Sequence, residues 1–286
     1  MDDWEKAGKV AKECLKYGKS LVKEGASILE ICEKVEKKIL VNGCVAAFPV
    51  QISLNSVAAH DTGNVDDPRV LKDEVVKLDV GVCYNGSIGD NAATVDLDGS
   101  YGNLLESCSK ALANALKVVK DGVELREIGN EIENTIMSYG FKPVKNLSGH
   151  GLGLNIIHDQ PSVPNYDNKD REKLFSGKVI AIEPFATDGA GLVANGKASE
   201  TFRLVREGAV RNYRDVLDFI KKFEGRPFAK RWLVEEFNKL KVSLALNEFS
   251  KRGLLQNYDL LVEKNKGMVA QFEHSVRVGG GVLTNG

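Results

Sequence analysis

Four acidic side chains stand in segments of the chain that are predicted to form β-strands. They form two pairs, Asp79 with Asp90, 11 residues apart, and Glu183 with Glu273, 90 residues apart. Carboxylates aligned in a folded interior cost free energy unless they are paired, and a shared cation is their ordinary partner. The pattern therefore favours a metal site with hard oxygen ligands.

Three of the four histidines stand in unusual local sequences. His60 precedes an Asp-Thr-Gly segment, His150 lies between two glycines, and His158 precedes an aspartate. Flanking glycines let the backbone around His150 approach whatever the imidazole faces. A lone loop histidine is usually structural or solvated, so the combination with four carboxylates is what indicates chemistry. His274 alternates with Glu273 and is expected to point away from the carboxylates in a structural role.

A β-hairpin is expected to bring the first acidic pair together. Residues 75–95 alternate in hydrophobicity around Asn85-Gly86, a strong signal for a two-residue turn. That turn pairs Asp79 with Ala92 and places Asp90 opposite a glycine, so both aspartates share one face as diagonal neighbours. The alternative is that this face is merely solvated. The other face should pack in the core, since it carries Val76, Leu78, Val80 and Val82.

The second acidic pair repeats the first with a long interruption. Residues 179–183 resemble residues 75–79, and each segment ends on a carboxylate. The partner strand is expected at residues 269–276, which contain Glu273. A subdomain inserted into the corresponding hairpin loop would account for the wider spacing.

A weak internal repeat organises the helices. Six residues between positions 23 and 43 recur unchanged 97 positions later. Ser27 and Glu30 match a capping box, and Gly43 and Gly140 stand where a helix would end. Each half is thus predicted to contain two helices followed by strands.

Composition sets the broad class of protein. The chain has 286 residues, 43% of them hydrophobic and 28% charged, which excludes a disordered or low-complexity protein. A formal net charge of -1 provides no global attraction to nucleic acid or membranes. The sequence shows neither a bilayer-spanning apolar run nor a signal segment, so a cytoplasmic location is expected. The five cysteines form no CxxC pair, which indicates reduced, mostly buried thiols.

Residues 187–264 are expected to form the inserted subdomain, with a strand at 202–205, three short helices and a strand around 260–262. From Arg203 to Arg252 this segment carries 13 basic and seven acidic residues, a local charge of +6. A winged-helix-like module that contacts nucleic acid or ribosomal RNA is one interpretation. A solvated helical surface is favoured, because no base-reading motif is present.

The acidic residues and one histidine together resemble a known ligand set. In order and local context, Asp79, Asp90, His150, Glu183 and Glu273 are similar to the five metal ligands of the methionine aminopeptidases with the pita-bread fold. The resemblance spans nearly the whole chain, and the insert resembles the type 2 subfamily. It implies an α+β pita-bread fold with pseudo-two-fold halves and an inserted helical, winged-helix-like subdomain. Residues 1–186 and 265–286 would form the catalytic domain.

The same resemblance implies a cofactor of two divalent metal ions. Asp79 would hold one ion, His150 and Glu183 the other, and Asp90 and Glu273 would bridge them. These ligands favour manganese, iron(II) or cobalt, with zinc as an alternative. Two such ions lower the pKa of a shared water and generate hydroxide at neutral pH.

The resemblance also implies roles for residues around the metals. His158 would donate to the developing oxyanion, His60 would contact the scissile amide nitrogen, and Glu183 would carry the proton. The candidates for the pocket that binds the methionine side chain are Phe48, Ile157 and Tyr258. The first two are equally candidates for the core.

The implied activity is removal of the initiator methionine from nascent polypeptides whose second residue is small. One alternative is a prolidase or aminopeptidase P, and another is a non-enzymatic relative that binds RNA or ribosomes. The expected partners are the N-termini of nascent polypeptides, with a ribosome contact through the basic insert. A monomer without membrane contacts is expected.

Overall fold

The computed structural model describes residues 1–284, and seven α-helices lie within them. The helices are α1 (Asp3–Leu21), α2 (Ile28–Val41), α3 (Gly102–Val118), α4 (Leu125–Ser138), α5 (Arg214–Lys221), α6 (Lys230–Val234) and α7 (Lys239–Lys251). The strands are β1 (Val45–Ala46), β2 (Gln51–Leu54), β3 (Val57–Ala59), β4 (Val75–Tyr84), β5 (Ser87–Asp96), β6 (Lys142–Pro143), β7 (Ser148–Gly153), β8 (Ile156–Pro164), β9 (Val179–Ile182), β10 (Phe185–Thr187), β11 (Val193–Leu204), β12 (Phe228–Ala229), β13 (Leu255–Glu263), β14 (Val269–Gln271), β15 (Glu273–Arg277) and β16 (Gly281–Val282).

The internal repeat corresponds to two helix pairs. Shifting the bounds of α2 by 97 positions gives the bounds of α4. Gly43 and Gly140 follow these helices with φ of 72° and 84°, as their place in the sequence predicted. The Ser27 hydroxyl caps α2 by accepting from the Glu30 N–H (3.3 Å). The capping box is incomplete, because the Glu30 carboxylate pairs with Lys34 instead (2.8 Å).

One large sheet joins the two halves, with strand order β1-β4-β5-β15-β9-β7-β8. The hairpin of β4 and β5 has the predicted register, in which Ala92 faces Asp79 and Asp90 faces Gly81. The prediction of a single strand at 269–276 is wrong, because Phe272 separates two strands, β14 and β15. β14 pairs with β10, whereas β15 inserts between β5 and β9 and so connects the halves.

Each half packs its helix pair against its own strands. The apolar face of the hairpin is fully buried beneath α1 and α2, as predicted; its residues are Val76, Leu78, Val80 and Val82. α3 and α4 bury a matching cluster that includes Leu104, Ile128 and Ile182. The opposite face, which carries Asp79 and Asp90, is buried too, so the interpretation as a solvated surface is wrong.

The segment between the two glutamates forms the three predicted short helices, α5 to α7, around a core that includes Phe228, Leu233 and Phe249. Its strands are longer than the sequence indicated, because β11 and β13 pair along most of their length. β13 also pairs with β3, where Leu261 faces Ala59. The insert therefore forms a four-stranded sheet in the order β12-β11-β13-β3, to which the N-terminal half contributes β3.

The cysteines are all buried free thiols, as predicted. Across residues 1–284, the helices lack the combination of length and apolar character that crossing a bilayer requires.

Candidate metal centre

All five predicted ligands line one cavity of about 200 Å³ between the two halves. Asp79 and Asp90 project from β4 and β5, His150 from β7, Glu183 directly follows β9, and Glu273 begins β15. The sheet brings them together, since Ala92 of β5 pairs with Asp79 on one side and with Glu273 on the other. His150 lies on β7, which pairs with β9, and its partner on β9 is Ala181.

Three of these residues form a compact group. Asp90, His150 and Glu273 each offer one ligand atom, and these atoms lie within 4.8 Å of one another. Glu183 adjoins the group, with its Oε1 3.4 Å from His150 Nε2. The Asp90 Oδ2 atom is 3.8 Å from the same nitrogen. Asp79 lies outside the group of three but lines the same cavity.

Without a bound cation, the buried carboxylates of the cluster repel one another. Burial raises the pKa of Asp79 to about 7. Burial and the neighbouring carboxylates hold the pKa values of Asp90, Glu183 and Glu273 well above the usual range. One oxygen each of Asp79, Asp90 and Glu273 is buried without a hydrogen-bond partner. Buried oxygens of this kind are what divalent cations coordinate, so the residues fit the implied metal group.

The His150 ring is held in the tautomer that a metal ligand needs. Its Nδ1 lies 3.1 Å from the carbonyl oxygen of Gly151, which can only accept, so Nδ1 carries the proton and Nε2 presents a lone pair. Burial lowers the pKa of His150 to about 4, which keeps the ring neutral. A Cβ on Gly149 or Gly151 would lie 2.3 Å or 2.1 Å from a carbonyl oxygen of a neighbouring strand. The glycines thus permit a close backbone approach, as predicted.

His60 lies at the cavity wall directly after β3, with a φ of 72°. Its N–H donates to Gln51 Oε1 (2.6 Å), and its Nδ1 lies 2.9 Å from the carbonyl oxygen of Asp259. The ring meets Tyr258 edge-on at 5.2 Å. Burial lowers the pKa of His60, so the neutral ring presents Nε2 as an acceptor.

His158 opens onto the cavity from β8. Its ring packs edge-on against His150, with centroids 4.7 Å apart. Burial lowers the pKa of His158 to about 3, and the nearby Arg203 guanidinium adds to the shift. A neutral imidazole can donate one hydrogen bond from the ring nitrogen that carries the proton.

The three candidates for the methionine pocket all line the cavity. Phe48 and Ile157 are also buried members of a core cluster with Ile88 and Leu152, so the core interpretation holds beside the pocket one. Phe48 packs against the backbone of Gly81, where an added Cβ would lie 2.2 Å from the ring.

Sequence reasoning missed Gln271. Its Nε2 donates to Glu183 Oε2 (3.4 Å), and a hydrogen bond to Asp79 opposes the rise in the pKa of that residue. Thr94 fixes its backbone through two hydrogen bonds of 2.7 Å and 2.8 Å. Its position two residues before Glu273 was the available signal.

His274 stays outside the lining of this cavity, as expected from its alternation with Glu273. Its Nδ1 lies 2.8 Å from the Thr284 hydroxyl, and the ring faces a groove beside α3 that Phe272 also lines.

The fold and the carboxylate-rich cavity define a class of metallopeptidase. Residues 2–278 match the model of metallopeptidase family M24, and the chain belongs to that family. It is 41% identical over 283 residues to a protein of Pyrococcus abyssi named methionine aminopeptidase. This alignment covers 97% of this chain and 96% of the relative.

Solved structures show the same fold at lower sequence identity. A methionine aminopeptidase from Thermotoga maritima superposes with a TM-score of 0.72 at 21% identity and covers 99% of this chain and 96% of that one. A structure described as a thermophilic Arx1 has a TM-score of 0.84 at 14% identity and covers 98% and 88%.

Proposed function

We propose that this protein is a type 2 methionine aminopeptidase, which removes the N-terminal methionine from polypeptides with a small second residue. The observation that carries the proposal is the convergence of four carboxylates and His150 in one small cavity that His60 and His158 also line. The name of the Pyrococcus abyssi relative supports the same activity.

The metal ligands in this proposal are Asp79, Asp90, His150, Glu183 and Glu273. Two bound divalent ions would supply a Lewis acid for the substrate carbonyl and would acidify a water near neutral pH. The absence of thiolate ligands favours manganese, iron(II) or cobalt, with zinc as the alternative.

The protein groups around the metals would orient the substrate and move protons. Neutral His60, fixed through Nδ1, accepts a hydrogen bond at Nε2 from the amide nitrogen of the scissile bond. His158 donates to the carbonyl oxygen as negative charge develops on it. Glu183, half-buried at the cavity surface and anchored by Gln271, takes up a proton and returns it to the leaving amine.

The shape of the cavity accounts for removal of a single residue. Phe48, Ile157 and Tyr258 enclose apolar space beside the metal ligands, which suits one flexible thioether side chain. An internal or blocked amide nitrogen cannot bind a metal as a free amine does, so only a free N-terminus would suit the proposed metal cluster. The free amine must therefore lie at the ligand cluster, which makes the enzyme an exopeptidase.

The type 2 assignment rests on the insert between Glu183 and Glu273. We further propose nascent polypeptide N-termini as the physiological substrates, with the basic insert near the ribosome and the protein acting as a monomer. The free amine that such substrates present is the group the cavity is built to enclose.

Peptide cleavage tests the activity and separates it from the prolidase alternative. Protein stripped by a chelator and reloaded with manganese, iron(II), cobalt or zinc is given Met-Gly and Xaa-Pro peptides. The proposal predicts metal-dependent release of methionine. Preferential cleavage before proline would establish the prolidase activity instead. Failure to cleave any peptide would favour a non-enzymatic binding role.

A further inference from the structure

Arg203 is a half-buried cation on the wall that leads out of the cavity. It lies on β11 two residues after Thr201, which lines the cavity, and alternate residues of a strand share a face. Its cross-strand partner is Gln256, and Tyr258, two residues further along β13, also lines the cavity. Arg203 therefore extends the lining face beyond Thr201.

The direction of this extension is toward solvent. Thr201 is buried, Arg203 is half-buried, and Val205 is 49% exposed. A substrate whose first residue fills the cavity must leave along such a wall. Because an extended peptide rises by about 3.3 Å per residue, as a strand does, two positions along β11 correspond to about two substrate residues.

The Arg203 guanidinium is oriented but not neutralised. Its Nε donates to the carbonyl oxygen of Gly225 (2.9 Å). The guanidinium also lies close to the Tyr258 hydroxyl, where it opposes the burial that raises the pKa of that group. The nearest acidic residue on the strand, Glu200, is paired with Lys230 (2.8 Å). Within residues 1–284, no ion pair with a carboxylate includes Arg203.

A guanidinium held by Nε presents its other N–H groups in a planar fork, the geometry that binds a carboxylate through two bonds. We propose that Arg203 is a specificity-determining residue, which favours substrates with an acidic side chain at the third or fourth position. This inference rests on the proposed aminopeptidase function and adds a preference beyond the second residue. The contact is partly desolvated, so it should outweigh an ordinary surface ion pair.

The test compares peptides with amidated C-termini, because a free terminal carboxylate would itself compete for Arg203. Metal-loaded enzyme is given Met-Ala-Xaa-Ala and Met-Ala-Ala-Xaa, with Glu, Gln or Lys as Xaa. At one of these positions, kcat/KM should be about five- to tenfold higher for Glu than for Gln, and lowest for Lys. This preference should weaken as salt concentration rises.

Variants assign the preference to this side chain. Arg203→Gln should bring the Glu-to-Gln ratio to about one, Arg203→Lys should retain part of it, and Arg203→Glu should favour Lys. The matched control is Arg206→Gln, which removes an exposed charge three residues further along and should keep the wild-type ratio.

The outcomes separate this inference from the proposed function. Equal rates for Glu and Gln peptides in the wild type would overturn the inference while leaving methionine removal intact. A preference that survives Arg203→Gln would overturn it as well. If none of the methionine peptides is cleaved with any metal, the proposed function itself fails.

Discussion

His60 and His150 are fixed in the same way but face different partners. Each ring uses Nδ1 to bind a backbone carbonyl, from Asp259 and Gly151 respectively, and so leaves Nε2 as the free acceptor. The His150 nitrogen faces Glu183 and Asp90, whereas His60 packs against Tyr258. Under the proposed function, the same side-chain chemistry serves as a metal ligand in His150 and as a substrate contact in His60.

The role of His60 leads to a prediction for His60→Ala. Loss of the Nε2 acceptor should lower kcat by about 100-fold or more, because the contact acts during bond cleavage. Metal content, measured by elemental analysis after gel filtration, should stay at the wild-type level. A variant that purifies without metal would instead make His60 a ligand.

A second residue-scale prediction concerns Asp90→Asn. An amide replaces one carboxyl group of a self-repelling cluster, so the metal-free variant should be at least as stable as the metal-free wild type. Divalent ions should raise the melting temperature of the wild type, since 100-fold excess over Kd adds about 2.7 kcal/mol. The variant should show little of this increase. An equal metal-induced increase in both proteins would contradict the ligand role.

Among the elements, the insert is connected to the N-terminal half by a buried ion pair. Glu36 on α2 accepts from Arg231 on α6, from Trp232 Nε1 (2.9 Å) and from the Val50 N–H (3.0 Å). Arg231 also donates to the Gly63 carbonyl (2.7 Å), in the segment that follows His60. This pair therefore supports the loop that carries a proposed substrate-binding residue.

Breaking the pair should be costly. Arg231→Met leaves the Glu36 carboxylate buried without its charged partner, which costs about 3–5 kcal/mol in the free energy of unfolding. Adding Glu36→Gln to the same chain should recover part of that loss. Urea denaturation of both variants measures the free energy of unfolding. A loss below about 1 kcal/mol in the single variant would show that the ion pair contributes no more than a surface pair does.

The β4–β5 hairpin also controls the proposed methionine pocket. Gly81→Ala would place a methyl group against the Phe48 ring and push the ring toward the cavity. KM for methionine peptides should rise more than kcat falls. Gly102→Ala is the matched control, because its added Cβ meets no atom within 4 Å. If both variants keep wild-type KM, Phe48 does not shape the pocket.

At the scale of the whole molecule, two repeated halves build one site along their junction. α2 and α4 are equivalent under the 97-residue shift, and β5 and β15 join the halves in the large sheet. Each half contributes one carboxylate pair, and the two cations proposed between them would offset their shared charge. The cavity thus exists only when both halves fold and meet.

Local sequence signals predicted much of this architecture. The Asn85-Gly86 turn specified the hairpin register, because a two-residue loop leaves one pairing for every strand position. The interruption of the strand at Phe272 was not predictable, because it depends on distant partners. β14 pairs with β10, whereas β15 pairs with β9. Gln271 was missed although it stands two residues before Glu273, whereas the contact of Glu36 with Arg231 is created by long-range packing that no local pattern indicates.

Anomalous X-ray scattering from crystals grown with manganese(II) would locate the metal ions that the protein binds. We expect two manganese peaks inside the cavity, contacted by Asp79, Asp90, His150, Glu183 and Glu273. An enzyme that cleaves methionine peptides while its manganese binds elsewhere, or not at all, would contradict this expectation.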